Sequence, residues 1–348
     1  MNDIVCNTRS LKTHLTGVQR YLGEILQHIG SQIDVVSSGD IPQGSPGHAW
    51  EQLVLPRKLH GRLLWSPTNS GPLAVRHQVV TVHDLVAFDH PEWIGWRYGQ
   101  WYRFMWPRLL ANVAHIIAIS DYTRQCIQSA YGIPADRISV IPNGVDERFH
   151  PQDEQAIADA RRECGVPTRQ YVLSVSSIEP RKNLRRLIEA WRMVENRLPD
   201  DVSLLLAGKV GFKHVFPDAE ITDLPKRVHF LGHVPDAHLP GLMSGARLFV
   251  YPSLYEGFGL PPLEAMACGT PVLTSNTSAI PEVVGSAAAL IEPTDVEAIA
   301  DAISTMLSDD AKCEVLRRAG LVQAQKYTWR KTSEETYRLL KRIAEDRS

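Results

Sequence analysis

Short β-branched apolar runs alternate with longer stretches of helical periodicity along most of the chain. "RLLWSPT", "QVVTVHDL", "HIIAIS" and "ISVIPNG" predict strands in the first half, and "QYVLSVSS", "VSLLLAG", "VHFLG", "ARLFVYPS" and "PVLTS" predict strands in the second. Between them, "VQRYLGEILQHIG", "DYTRQCIQSAYG", "KNLRRLIEAWRMVENRL" and "DVEAIADAISTMLSD" carry apolar residues at helical spacing. "TWRKTSEETYRLLKRIAEDRS" closes the chain as an amphipathic helix over 329–348. Strands alternating with helices predict the α/β class, with doubly wound parallel sheets. "IPNGVDERFHPQDEQ" is turn-rich and polar, a short charged helix follows it, and a fresh strand opens at Tyr171. The expected organisation is two Rossmann-like domains, 1–165 and 166–328, facing a cleft. Ligands of such sheets bind beyond the carboxyl ends of the strands, so the residues just after each strand are the candidates for chemistry.

Composition narrows the picture. A chain of 348 residues exceeds one typical core, in keeping with two domains. The formal net charge is -2, so no nucleic-acid partner is expected. Cys6, Cys126, Cys164, Cys268 and Cys313 are scattered and contain no CxxC pair, which argues against a disulfide framework or structural zinc and for a reducing, cytoplasmic setting. The start, "MNDIVCNTRS", lacks a basic-then-apolar leader pattern, and no apolar run reaches the roughly 18 residues that a spanning helix needs.

"YEGFGLPPLEAMACGTPV", after the strand in "ARLFVYPS", holds the densest chemistry. Gly257 and Gly259 let backbone amides approach a ligand. Pro261 and Pro262 suit a helical first turn and Gly269 its C-terminal cap, which predicts a short helix over 263–268 with its positive end at the sheet's carboxyl edge. Glu256 lies in the loop before that helix and Glu264 in its first turn. An ionised carboxylate only accepts hydrogen bonds, so two of them beside an anion-binding helix end point to a ligand with phosphates and hydroxyl groups, such as a nucleotide sugar. The bland alternative makes Glu256 a turn cap and Glu264 a solvated surface charge. Arg181 and Lys182 follow the strand in "QYVLSVSS". Two cations at a helix start oppose its dipole, which calls for a compensating anion such as a diphosphate. His83, with Asp84, ends "VVTVHDL" and could contact phosphate or hydroxyl groups, move a proton or simply pack. Gly17 marks either a close backbone approach or a turn before the first helix, and Ser120 and Asp121 read as helix caps. The chain contains no Asp-x-Asp pair, so no metal or other cofactor is expected.

The glutamate stretch "EGFGLPPLEAMACGTPV" resembles the E-x7-E signature of retaining glycosyltransferases of the GT-B fold, family 4. The likeness continues through "TGVQRYLGEIL", "TVHDL", "IAISDYTR", "VIPNGVD", "EPRKNLRRLIEAW", "FLGHVPDAHLPGLMSGARLFVYPS" and "TSAIPEVVGSAAALIEP", nearly the whole chain in order. The resemblance implies transfer of a hexose from a nucleoside diphosphate donor to an acceptor hydroxyl, with anomeric configuration retained. It implies that Glu264 holds the ribose and Glu256 the donor sugar, and that the amides of Gly257, Phe258, Gly259 and Leu260 face sugar and phosphate oxygens. Arg181 and Lys182 would neutralise the leaving diphosphate, with His83 near the reacting centre, Gly17 near the phosphates and Val234 near the nucleobase. The catalytic set it implies is Glu256, His83, Arg181 and Lys182. Many members carry an arginine five residues before the equivalent of Lys182; Ser177 stands there, so Arg181 becomes the replacement charge.

The "EPRKN" and "VHDL" variants look like those of bacterial polysaccharide mannosyl- and rhamnosyltransferases, which implies a GDP-sugar donor and a glycan or lipid-linked acceptor, with a UDP-sugar as the alternative. "PEWIGWRYGQWYRFMWPRLL" interleaves Trp93, Trp96, Trp101 and Trp106 with Arg97, Arg103 and Arg108. It reads either as a contact with the inner face of the cytoplasmic membrane through residues 93–108, or as a helix packed in the first domain because its apolar residues fall on all faces. In this fold the last helix commonly returns to the first domain. Other readings are a GT-B epimerase or phosphorylase and a non-catalytic sugar-nucleotide binding module. A dehydrogenase fits poorly, because no G-x-G-x-x-G follows the first strand.

Overall fold

A computed structural model describes residues 2–12, 17–42, 44–209 and 224–346. The chain divides into two compact units.

The first unit comprises Met1–Pro91, Trp96–Gly144 and Tyr327–Ser348. Its strands are β1 (Ile4–Asn7), β2 (Asp34–Val36), β3 (Leu63–Ser66), β4 (Gln78–Val82), β5 (His115–Ala118) and β6 (Ile138–Val140). All pair in parallel, in the order β2-β1-β3-β4-β5-β6. The inner strands β1, β3, β4 and β5 are buried along their whole length, as expected for parallel strands covered on both faces. The helices are α1 (Gly17–Ile29), α2 (Ser45–Leu53), α3 (Val86–Asp89), α4 (Trp96–Asn112) and α5 (Asp121–Tyr131). α5 starts at Ser120, whose hydroxyl accepts from the Thr123 N–H, and ends at Gly132 in the left-handed region, the capping pattern its sequence announces.

The second unit comprises Val145–Lys326 with Glu92–Gly95. Its strands are β7 (Gln170–Val175), β8 (Val202–Ala207), β9 (Val228–Gly232), β10 (Leu248–Tyr251), β11 (Val272–Ser275) and β12 (Ala289–Ile291). They too are parallel, in the order β12-β11-β10-β7-β8-β9. Counted from β7, this is the 3-2-1-4-5-6 order of dinucleotide-binding sheets, whose ligands sit where the order reverses. Here that point lies between β7 and β10. The helices are α6 (Glu154–Glu163), α7 (Leu184–Val194), α8 (Leu239–Ser244), α9 (Leu260–Ala267), α10 (Ile280–Val284), α11 (Val296–Ser308) and α12 (Asp310–Ala324). Leu184, Leu187, Ile188, Trp191 and Val194 form one stripe of α7 and join Leu204, Leu206, Val250, Ile299 and Ile303 in the core. A last helix, α13 (Trp329–Glu345), belongs to the first unit: Trp329 packs edge-on against Tyr21 of α1, and Thr332 Oγ1 donates to the Pro142 carbonyl at 2.7 Å.

Three expectations change. The units divide at Gly144/Val145, earlier than 165/166, because α6 belongs to the second unit: Arg161 donates to the Thr168 carbonyl at 2.6 Å, and the Gln152 N–H, just before α6, to Ser244 Oγ. The helix of the glutamate stretch starts at Leu260, not at residue 263, because the first helical N–H groups are unpaired anyway and both prolines fit there. Finally, α4 is not packed on all sides, although its apolar residues do fall on several faces. Gly99, Tyr102, Met105, Trp106, Leu109 and Leu110 are its buried side, while Trp96, Tyr98 and Phe104 are exposed. Among the described residues, no helix is long and apolar enough to cross a membrane.

Candidate active site

After β7 the backbone enters a single 3-10 turn, Pro180–Lys182, and Asn183 closes it with a φ of 60°. Asn183 Nδ2 donates to the carbonyls of Pro252 (3.0 Å) and Pro293 (2.6 Å), and the Leu254 N–H donates to the Arg181 carbonyl at 2.7 Å. These bonds stitch the turn after β7 to the loop after β10, at the reversal of the strand order.

Glu256 is the hub of that junction. Its Oε1 accepts from Lys182 Nζ (2.6 Å), Ser253 Oγ (2.7 Å) and Tyr251 Oη (2.8 Å), and its Oε2 from Arg181 Nη1 (3.0 Å). Lys182 Nζ also donates to Tyr251 Oη at 2.7 Å. Burial alone would raise the Glu256 pKa, but Lys182, Arg181 and the hydrogen bonds from Lys182 and Ser253 outweigh it and hold the group at about 2. Burial and Arg181 draw the Lys182 ammonium below its usual range, opposed by Glu256 and Glu179. Burial, then Glu256, pushes the Tyr251 phenol well above its usual range, so it stays a donor.

Sequence reading placed Arg181, Lys182 and Glu256 at this edge, and the structure brings the three together. It shows Glu256 already committed to four donors rather than facing outward. Glu264 lies in the second turn of α9 and is 5% exposed, which removes the solvated-surface alternative. Gly259 caps α9 with a φ of 104°, a conformation that calls for glycine, and a Cβ there would also have to displace the Ile280 Cδ1 methyl, 2.5 Å away. Gly257 and Phe258 are buried and Leu260 is half-buried. Val234 is buried two residues beyond β9, the outer strand on the β8 side.

Sequence reading missed Glu179, Tyr251 and Ser253. Glu179 Oε1 stands 2.6 Å from Arg181 Nε and 3.9 Å from Lys182 Nζ. The signal for Glu179 was available, since it sits two residues before adjacent cations. The pairing of Tyr251 and Ser253 with Glu256 depends on the turn after β10 folding back on itself, which no spacing rule announces.

His83 and Gly17 lie in the first unit. Gly17 opens α1 and is exposed, and a Cβ added there would meet nothing within 4 Å. His83 follows β4, is 5% exposed and packs edge-on against Tyr21 at 4.8 Å. Burial pushes its pKa down to about 4, the Pro67 carbonyl opposing, so the ring is neutral at pH 7. Nε2 lies 2.8 Å from the Pro67 carbonyl, a partner that can only accept. The proton is therefore assigned to Nε2, leaving Nδ1 as an acceptor. A further cluster went unread at the ends of β1 and β3. Asn7 Nδ2 donates to Glu51 Oε1 (2.8 Å), Ser70 Oγ–H to Glu51 Oε2 (2.9 Å), and Arg9 Nη2 to Ser70 Oγ (3.2 Å), so α2 fixes both loops.

Comparisons with known proteins bear on the family and the fold. Residues 157–322 match the model of glycosyl transferases group 1, and residues 58–149 that of glycosyltransferase family 4. The O-antigen chain mannosyltransferase B of Escherichia coli is 34% identical over 77% of this chain and 72% of its own length. The chain belongs to the glycosyl transferases group 1 family. The serotype-specific mannosyltransferase WbdA of Escherichia coli is 36% identical over 63% of this glycosyltransferase, which spans only 27% of that protein. The Anabaena Alr3699/HepE structure, in complex with UDP and glucose, superposes with a TM-score of 0.76 at 22% identity, covering 98% of this chain and all of that one. The two six-stranded parallel sheets are thus of the GT-B type, and the chain is a nucleotide-sugar-dependent glycosyltransferase.

Proposed function

We propose that this glycosyltransferase moves a hexose, with mannose favoured, from a GDP-sugar to a hydroxyl of a glycan or lipid-linked acceptor in surface polysaccharide synthesis, with anomeric configuration retained. The observation that carries the reading is the Arg181–Lys182–Glu256 cluster, with Lys182 and Glu256 buried and Arg181 half-buried, at the strand-order reversal of the second sheet. The donor preference draws on the relatives: one is an O-antigen chain mannosyltransferase, and another, of Mycolicibacterium smegmatis, is GDP-mannose-dependent by name. The Anabaena neighbour, bound to UDP, keeps a UDP-sugar as the alternative.

Departure of the diphosphate leaves negative charge on its oxygens and positive charge on the sugar. Arg181, Lys182 and the amino end of α9 supply preorganised positive charge for the leaving group, without a divalent metal. Double displacement needs a carboxylate available at the anomeric carbon. Glu256, with four donors already on it, is poorly placed to attack. Same-face attack fits better: the acceptor oxygen bonds to the anomeric carbon, the carbon–phosphate oxygen bond breaks, and the departing oxygen takes the acceptor's proton. His83, neutral with its Nε2 proton committed, serves as a hydrogen-bond acceptor at Nδ1 rather than as an acid. Glu264 holds ribose hydroxyls, with Val234 beside the base and Gly17 near the phosphates.

Trp96, 75% exposed, and Phe104, with Arg108 stacked 4.0 Å from its ring, support contact of α4 with the surface of the membrane that bears a lipid-linked acceptor. Trp101 is half-buried against His48 and Trp106 donates to the Asn69 carbonyl, so neither belongs to that surface.

The test is a panel of GDP- and UDP-sugars with and without lipid-linked acceptor, with chelator and anionic-vesicle arms. Expected are acceptor-dependent release of GDP, a retained anomeric centre by NMR, unchanged rate in chelator, and weaker vesicle binding by Trp96→Ala. Epimerised donor formed without acceptor overturns the transferase reading. Rescue of a chelated enzyme by magnesium overturns the metal-free clamp, and unchanged vesicle binding the membrane contact.

A further inference from the structure

We propose that Glu179, through its charge beside Arg181 and Lys182, limits how tightly the second unit holds a nucleoside diphosphate, so that product leaves. The proposal rests on the reading that Arg181 and Lys182 take the donor's diphosphate.

Four charged side chains meet at the β7/β10 junction: Arg181, Lys182, Glu179 and Glu256. Their formal charges cancel. A buried and a half-buried cation beside one carboxylate would leave a net positive charge largely out of water, which is costly. Glu256 already accepts from Lys182, Tyr251, Ser253 and Arg181. The balancing charge is Glu179, whose side chain is only 3% exposed and whose Oε1 reaches Arg181 Nε at 2.6 Å. Hydrogen bonds on the planar guanidinium run from Nη1, to Glu256 Oε2 at 3.0 Å and to the Tyr255 carbonyl at 3.2 Å, while Glu179 meets Nε as an ion pair without hydrogen-bond geometry. A fork held this way before the ligand arrives loses little freedom on binding.

The consequence of Glu179 is electrostatic. A cluster with excess positive charge would bind the substrate's diphosphate and the free product alike. Such uniform binding lowers KM and slows product release without helping the chemical step. A carboxylate within a few ångströms of both cations weakens that hold at every stage. It leaves the cations able to respond to the extra negative charge that develops as the bond breaks.

Removing an active-site charge partner ordinarily weakens a site; here removing the charge of Glu179 while keeping its shape strengthens it for diphosphates. Calorimetric titration of GDP, and separately of inorganic pyrophosphate, is done on the full chain, the folding of each variant being checked by circular dichroism. Glu179→Gln should bind GDP roughly tenfold tighter than the wild type, the scale of one added charge near two phosphates in a partly screened site. Product inhibition should tighten and kcat fall together. Glu179→Asp keeps the charge and should restore affinity to near wild type. Unchanged or weaker GDP binding by Glu179→Gln, or an Asp variant that behaves like the Gln one, overturns the proposal. Lys182→Ala is the control for the underlying reading: if it binds GDP as well as wild type, the diphosphate site lies elsewhere. If it weakens binding while Glu179→Gln does not tighten it, only the role of Glu179 falls.

Discussion

Two cations, a phenol and a serine hydroxyl converge on Glu256, although Lys182 and Arg181 lie 74 and 75 residues away in sequence. The motif announced which residue types matter and that they follow β7 and β10. It did not announce that they bind each other, because the pairing depends on which strands become neighbours. The same limit hid the state of His83, whose charge is set by burial against Tyr21 and Pro67. The sign of its effect on stability follows. The unfolded imidazole titrates near 6.5 and the folded one at about 4. As pH falls through that window the unfolded chain takes up a proton that the folded chain refuses, so stability drops between about 6.5 and 4 and is flat above. His115, also held at about 4 chiefly by burial, steepens the same window. Urea midpoints measured across it should fall with pH in the wild type and fall less steeply for His83→Gln. An identical slope would show that the folded imidazole titrates normally.

Among elements, the central strands and the amphipathic helices were readable because burial on both faces, or on one stripe, imposes a period on the sequence. β2 and β12 escaped, each three residues long at a sheet edge, whereas the equally short edge strand β6 was marked by the turn residues of "IPNG" that follow it. β1 escaped because only the first two of its four residues, IVCN, are β-branched. In α9 the signal was real but misplaced: Pro261 and Pro262 marked a helix start, and Gly259, two residues earlier, sets where it falls. Gly259→Ala should cost about 1–3 kcal/mol, from its φ and from the clash with Ile280. It should also raise the donor KM, because the amino end of α9 must shift. A variant with wild-type stability and KM would mean that α9 starts elsewhere.

On the scale of the whole chain, two α/β units and a closing helix were legible in the alternation of strands and helices. The division at Gly144/Val145 was not, since α6 shows its allegiance only through contacts with residues that follow it. The return of α13 depends on one small residue. A Cβ at Gly144 would overlap the backbone of Thr328 and Trp329 where that helix begins. Gly144→Ala should therefore destabilise the first unit by about 3 kcal/mol, the upper range for overpacking. The check is urea unfolding followed by tryptophan fluorescence, and a stability equal to wild type would place α13 differently.

The central claim is that the second unit holds the donor's diphosphate between the turn after β7 and the loop entering α9. Hydrogen exchange with and without saturating GDP tests it most directly. Amide exchange should slow in residues 178–184 and 254–264 when GDP binds. GDP binding that leaves both segments exchanging at their ligand-free rates would contradict the account.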